Sequence, residues 1–551
     1  MQAYESGRPV ARARAGAQAP RVLLRPFVAL LAAGGALTVL PAGAFEIESG
    51  DPDLKARWDN TVKYSNALRL KEPSAQLLAD PNLDDGDRNF GKGLISNRLD
   101  LLSEFDLSYK NFGTRLSGAA WYDRIYNRDN DNNSSATANA HSVPFNQFTD
   151  ATRKLHGRKA EVLDAYVFGR FDLSDRQATV RIGKHTLLYG ESLFFGANGI
   201  AGAQAPVDVI KALSVPGAQV KEILMPVPQI STQIQISPEI SAGAYYQLRW
   251  EKTRLPAVGS YFSGLDIGGP GAERLLLPPG AVPGVANAAL FHNADVEPKD
   301  SGQGGLQLRL RPRGGDVEYG LYALQFHAKT PWVVATPGEG FDPSTGQVGT
   351  YHFVYPEKIR LYGLSFSTTV GDAGVAGEVS VRRNNGLTSQ GAVTIGNTAH
   401  AQVSMLYAFN GSPLWGGAQM AAEVAWNRIT SIRDNAANLD PLATRDAWGL
   451  RLLFEPSWYQ VLPAFDLSMP INVGYSPKGR SAVAPIGTDK GGDLTLGLNG
   501  EYAKQWKLGL AYTHYFGTEA PMLIAATNYS NSFKQSSKDR DFIAFSVQRT
   551  F

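Results

Sequence analysis

The chain contains no cysteine among its 551 residues. That excludes disulfide frameworks, thiolate zinc sites, cysteine nucleophiles and a lipidated N-terminal cysteine. Charge is also scarce: Asp, Glu, Lys and Arg make up 19%, below the ~25% usual in soluble domains. With 53 basic against 51 acidic residues, the chain lacks the basic excess that a general nucleic-acid binder needs for counterion release. Neither G-x-S-x-G, H-E-x-x-H nor a phosphate-binding glycine loop occurs. Only eight histidines are present, and no two are spaced as metal ligands on one strand face. The reading is a protein that is not an enzyme, with no metal or cofactor. Aromatics at 10% and 57 glycines argue against a disordered chain, which would be charge-rich and aromatic-poor.

The N-terminus reads as a leader. Arg8, Arg12, Arg14, Arg21 and Arg25 stand against Glu5 alone, followed by an apolar run from Phe27 to Leu40 and then Pro41-Ala42-Gly43-Ala44. A basic region, a short apolar stretch and an A-x-A site form a secretory signal peptide, expected to be cleaved between Ala44 and Phe45. Because all six of those charges precede residue 27, the body after Ala44 carries a formal −2 rather than +2.

After Ala44 there is no run of ~18 apolar residues, so no transmembrane helix is expected. What the body has instead is alternation. In 57–70, Trp58, Val62, Tyr64, Leu68 and Leu70 share one parity, with Arg57, Asp59, Thr61, Lys63, Ser65 and Arg69 on the other. In 98–109, Leu99, Leu101, Phe105, Leu107 and Tyr109 alternate with Arg98, Asp100, Glu104, Asp106 and Ser108. Stretches 240–251 and 493–502 repeat the pattern. Weaker copies fall at 114–124, 161–173, 178–189, 230–236, 305–311, 317–327, 358–370, 374–383, 400–409, 418–427, 447–455, 461–475, 506–516 and 541–551.

A tilted strand crossing a bilayer takes ~10 residues and alternates lipid-facing with lumen-facing side chains. The sequence therefore predicts an all-β protein, a transmembrane antiparallel β-barrel of about 18 strands, within 16–20. Aromatics at the ends of the apolar faces (Trp58, Tyr109, Tyr122, Trp250, Trp448, Tyr502, Trp506) fit interfacial girdles. The last strand carries Ile543, Phe545, Val547 and Phe551 on one face, in the manner of an outer-membrane sorting strand. Arg549 departs from that pattern and is expected to snorkel at the rim.

An outward charge at mid-bilayer costs ~2–4 kcal/mol, so the alternating charges belong inside. Arg98, Asp100, Glu104, Arg249, Glu251 and Arg451 are the expected pore-lining residues. Two segments break the alternation. Residues 190–230 are apolar, with short helical stretches near Val207–Leu213 and Ala218–Leu224 and the charges Asp208, Lys211, Lys221 and Glu222. This length is far beyond a hairpin loop, and the segment is expected to fold in and constrict the lumen. Residues 252–300 are punctuated by Gly and Pro and read as a long extracellular loop. The acidic run Asp80–Asp87 departs from EF-hand spacing, with Gly91 where the twelfth position would want Glu. It reads as a solvated turn between the first two strands, with a calcium site as the alternative. Asn127–Ser135 reads as a polar loop tip.

Arg57-Trp58-Asp59-Asn60-Thr61, Asp84-Asp85-Gly86-Asp87-Arg88-Asn89-Phe90, Ser96-Asn97-Arg98-Leu99-Asp100-Leu101-Leu102 and Arg181-Ile182-Gly183-Lys184 resemble stretches of the DUF1302 family of Gram-negative proteins. So do Gly190-Glu191-Ser192, Pro206-Val207-Asp208, Val215-Pro216-Gly217-Ala218 and Trp250-Glu251-Lys252-Thr253-Arg254. The resemblance implies a porin-like protein of the outer membrane, of a kind that often accompanies RND-type exporters and catabolic systems for hydrophobic or aromatic compounds. It supplies no catalytic residues. The expected function is a channel for passive passage of small, hydrophobic or aromatic solutes. The alternatives are the outer-membrane component of an RND-type export system and a surface adhesin. Expected partners are outer-membrane lipid, the barrel-assembly machinery, a small-molecule solute, and periplasmic or RND-type transporter components.

Overall fold

The computed structural model describes residues 45–47, 50–174, 176–215, 220–483 and 486–551. The expected leader, residues 1–44, lies outside them. Eighteen strands form one closed antiparallel barrel, labelled here in chain order. They are β1 Leu54–Arg69, β2 Gly93–Tyr109, β3 Phe112–Asp123, β4 Arg158–Leu173, β5 Arg176–His185 and β6 Val227–Ser237. Next come β7 Ile240–Gln247, β8 Gly304–Leu310, β9 Glu318–Phe326, β10 Ile359–Val370, β11 Ala373–Leu387 and β12 Thr394–Phe409. The circuit ends with β13 Gly417–Asp434, β14 Asp446–Leu462, the interrupted β15 (Phe465–Ser468 and Ile471–Lys478), β16 Gly492–Tyr502, β17 Trp506–Phe516 and β18 Phe542–Thr550. Each pairs with its chain neighbours, and β18 closes onto β1 from Thr61↔Thr550 to Arg69↔Phe542. Beyond that seam, Phe45–Ile47 continues the ladder along β1, opposite Ala56–Trp58.

Strand parity decides which face is which. Val379 and Val424 are 51% and 48% exposed, whereas the preceding Glu378 and Glu423 are 5% and 1% exposed. The outer face is an apolar band that includes Leu99, Leu101, Leu306, Leu321, Leu364, Val403, Leu496 and Leu510, suited to lipid rather than water. Among the described residues no helix is long and apolar enough to cross a membrane; the strands cross it. Trp58, Tyr109, Tyr122, Trp448 and Tyr502 are exposed on the barrel, as girdle residues should be. Arg549 lies over the Trp506 ring at 5.1 Å and near that of Phe551, so cation–π contacts accommodate the charge at the rim.

One end of the barrel has tight turns, such as 110–111, 238–239, 371–372 and 463–464. The other carries the long connections 70–92, 124–157, 186–226, 248–303, 327–358 and 517–541. Long loops face outside in such barrels, and here those other than 186–226 pack into a cap. Phe90, Ile125, Tyr126, Phe148 and Tyr261 build one core of it. Trp250, Ile267, Leu290, Tyr351 and Phe353 belong to another.

The cap corrects four expectations. β7 stops at Gln247, not residue 251. Trp250 is buried rather than a girdle residue, and its indole donates to the Ala328 carbonyl at 3.1 Å. Segment 252–300 is not wholly irregular: Arg274–Leu276 and Ala289–His292 join Gln347–Val354 and Trp332–Asp342 in a four-stranded sheet. The run Asn82–Asp87 is buried beneath loop 248–303 rather than solvated. Gly86 permits that contact, because a Cβ there would lie 2.2 Å from the Ser263 carbonyl oxygen.

Candidate functional site

Segment 186–226 leaves β5, enters the lumen and returns to β6. Its helices span Val209–Ser214 and Val220–Ile223. Asp208 caps the first, accepting from the Lys211 N–H at 3.0 Å. Capping of this kind satisfies an amide that the helix itself leaves unpaired.

The turn 191–200 is held by inward residues of β11–β13. Glu378 accepts from the N–H groups of Glu191 and Ile200, each at 2.7 Å. Glu423 accepts from those of Leu193 (3.2 Å), Phe194 (2.5 Å) and Phe195 (3.0 Å). Arg382 caps the opposite polarity: its Nη2 donates to the carbonyls of Ala197, Asn198 and Gly199 at 2.8–3.0 Å. The Asn198 side chain meets His400 at 3.0 Å, Gln402 at 3.2 Å and Asn427 at 3.1 Å. Two carboxylates and one guanidinium thus replace the water that an irregular backbone would otherwise need. Phe195 reaches β14, where Gly449 leaves it room: a Cβ there would sit 3.0 Å from the Phe195 ring.

The return limb is held on the far side. Arg254 bridges Asp208 at 2.8 Å and Glu161 of β4 at 2.5 Å. β4 and β12 are eight strands apart on an eighteen-strand circuit, so the anchors are nearly opposite and the segment crosses the lumen.

The wall facing the insert is charged. Arg98 and Asp100 of β2 pair at 2.7 Å, with Lys63 of β1 and Lys211 of the insert in electrostatic reach. Lys159 pairs with Glu161 at 2.9 Å. Trp121 of β3 is framed by Arg98, Lys159 and Arg254 at 4.7, 5.8 and 5.9 Å from its ring. Toward the short-turn end, Arg115 joins Glu104 and Asp106. Arg451 makes a bidentate pair with Asp493 at 2.7 and 3.1 Å. On the insert, Glu191 meets Arg309 at 3.1 Å. Burial raises its pKa, Arg309 opposes the rise and Glu318 adds to it.

Of the expected pore-lining residues, Arg98, Asp100, Glu104 and Arg451 therefore point inward on strands. Arg249 and Glu251 lie beyond the end of β7, Arg249 being exposed. Of the insert charges, Asp208 is tied to Arg254, and Lys211 Nζ donates to the Glu222 carbonyl at 2.7 Å. Glu222 is exposed, and Lys221 contributes backbone to the second helix. The anchors Glu378, Arg382, Gln402 and Glu423 were not singled out from sequence. Their one signal is a charged or amide residue at the inward parity of a strand, and it does not separate them from Ser380, His400 or Asn427 at the same parity.

The family model of DUF1302, described as a protein of unknown function, matches residues 25–551. The chain belongs to the DUF1302 family. A search of curated proteins finds no match. Among solved structures, this DUF1302 barrel is similar to the outer membrane channel DcaP of Acinetobacter baumannii, at 9% identity and TM-score 0.37 over 92% of this chain and 100% of that one. It is also similar to OccAB4 of A. baumannii, at 9% identity and TM-score 0.41 over 90% and 98%. A third is OccK2 (OpdF) of Pseudomonas aeruginosa in complex with glucuronate, at 10% identity and TM-score 0.38 over 90% and 98%.

Proposed function

We propose that this DUF1302 protein is a passive outer-membrane channel for small solutes, with hydrophobic or aromatic compounds as its preferred class. The observation that carries the reading is the insert tied to nearly opposite walls, at Glu378 and Glu423 on one side and through Arg254 to Glu161 on the other. A barrel whose lumen is polar and crossed by a fixed segment narrows to a filter, where lining chemistry decides what passes. Here one lining surface is the largely apolar insert with Phe194 and Phe195. The other presents Trp121 among three cations. A flat solute stacks on the indole, and any carboxylate it carries competes with Asp100 for Arg98 or with Glu161 for Lys159.

The test is solute flux through the purified chain in liposomes. Small aromatic acids should pass faster than sugars of equal size. Trp121→Ala should lower aromatic flux at least three-fold and leave sugar flux within two-fold. A chain that forms no conductance in bilayers, or a Trp121→Ala variant that slows both solutes equally, would defeat the reading.

A further inference from the structure

The cap holds a cluster that the channel does not use. Asp84 and Asp85 of loop 70–92 and Asp266 of loop 248–303 each offer a carboxylate oxygen, all within 4.8 Å of one another. The three are 1%, 4% and 0% exposed. Asp84 Oδ2 accepts from Arg88 at 2.6 Å, and Asp266 Oδ2 accepts from the Asp85 N–H at 2.9 Å. The other oxygen of each, Asp84 Oδ1 and Asp266 Oδ1, is buried and has no hydrogen-bond partner. Asp85 is held by Asn132 at 3.2 Å, by Asn139 at 3.0 Å and by Thr137. These are neutral donors, which orient the carboxylate without cancelling its charge.

Three carboxylates therefore face one paired cation, Arg88. The neighbouring cations answer other carboxylates: Arg69 pairs with Asp87 and Asp539, and Arg540 lies 3.5 Å from Asp87 while donating to the Tyr261 and Ser263 carbonyls. Leaving two buried carboxylate oxygens unpaired is expensive, and the surplus is two negative charges. The donors are all oxygen, which selects a hard cation. Two oxygens each ~2.4 Å from one ion lie at most ~4.8 Å apart, a limit the three carboxylates meet.

We propose that Asp84, Asp85 and Asp266 hold one divalent cation of calcium's chemistry, which ties loops 70–92 and 248–303 together at the long-loop end. Without a cation, protons are the competing occupants. Burial, then the Asp85 charge, raises Asp84 to about 7, and burial raises Asp85 and Asp266 too. Carbonyls and water would complete the six to eight oxygens that calcium takes.

The experiment uses the full chain, folded in detergent and stripped with chelator, at pH 7.5. Equilibrium dialysis against calcium chloride alone should show one ion per chain at ~0.1–1 mM, the range of extracellular sites. Calcium at ten times its Kd should slow amide exchange in 80–90 and 260–268 by about ten-fold, while the strands are unaffected. Asp84→Asn/Asp266→Asn removes like charge, so it should fold, as checked by heat-modifiable mobility, and lose both effects. Asp80→Asn, outside the cluster, should keep them. Wild-type chain that binds no stoichiometric calcium at 5 mM overturns the proposal, and that arm stands even if the double variant does not fold. Unchanged binding in a folded double variant overturns it equally.

Discussion

At the scale of single residues, Glu378 and Glu423 do the most for the lumen. Each accepts two or three backbone N–H groups, and hydrogen bonds to a charged partner contribute ~1.5–3 kcal/mol each. Truncating either to Ala leaves insert amides unpaired beside a void. Glu378→Ala and Glu423→Ala should each increase open-channel current noise and raise mean conductance about two-fold, with the pair together exceeding either alone. Planar-bilayer recording of the three variants checks it, and quiet traces at wild-type conductance would show that the turn 191–200 does not depend on these acids.

Lys329, in the loop between β9 and β10, gives a pH prediction. It is buried, and its ammonium donates to the side-chain amide oxygens of Gln303 and Gln247, at 3.2 and 3.5 Å. Burial depresses its pKa to about 7, with Glu251 opposing. A depressed lysine binds fewer protons folded than unfolded, so stability rises with pH between about 7 and the ordinary 10.5 and is lost as pH falls through 7. Lys329→Met removes that dependence. Its thermal midpoint should exceed wild type most at pH 6–7, and the gap should shrink steadily toward pH 10. A constant gap across that range would mean that Lys329 is not the titrating group.

At the scale of elements, the strands were legible because lipid on one side and water on the other enforce period two. Each of the eighteen alternating stretches corresponds to one observed strand. Alternation fails where lipid no longer faces the chain. It continues by chance through Leu248 to Glu251, past the end of β7, where Trp250 turns under the cap. That is why Arg249 and Glu251 read as lining residues. The sheet formed by 274–276, 289–292, 332–342 and 347–354 was illegible for a related reason. Its strands pair within the cap rather than across lipid, two of them are only three or four residues long, and the Gly and Pro between them looked like loop. Glu378 and Glu423 resembled any other lumen charge, since only the path of the insert gives them amides to bind.

The insert itself has two limbs with separate fastenings. Arg254→Ala cuts the link from Asp208 to Glu161 and leaves the Glu378 and Glu423 contacts intact. Amide exchange in 207–215 should accelerate at least ten-fold, with 191–200 unchanged. Equal acceleration in both limbs would show that the insert moves as one body.

At the scale of the whole molecule, barrel and insert are energetically distinct. The ladder from β1 to β18 pairs every strand with two barrel neighbours and closes through nine residue pairs at its seam. None of those pairings uses residues 186–226. A closed ladder has no free edge from which to unravel, so its integrity does not rest on what fills it. The inward charges also pair largely with other wall residues, as Arg115 does with Glu104 and Asp106 and Arg451 with Asp493. Replacing 192–224 by a short Gly-Ser linker would strand Glu378 and Glu423, but in a lumen that water can then enter, where desolvation no longer penalises them. The shortened chain should keep its heat-modifiable mobility and lose no more than about 5 °C in thermal midpoint. Its single-channel conductance should rise at least three-fold, and its preference for aromatic solutes over sugars should disappear. If conductance stayed at the wild-type value, the insert would be lining rather than barrier. If the barrel failed to form, the insert would be part of the folding core, and the separation of ladder from insert would be wrong.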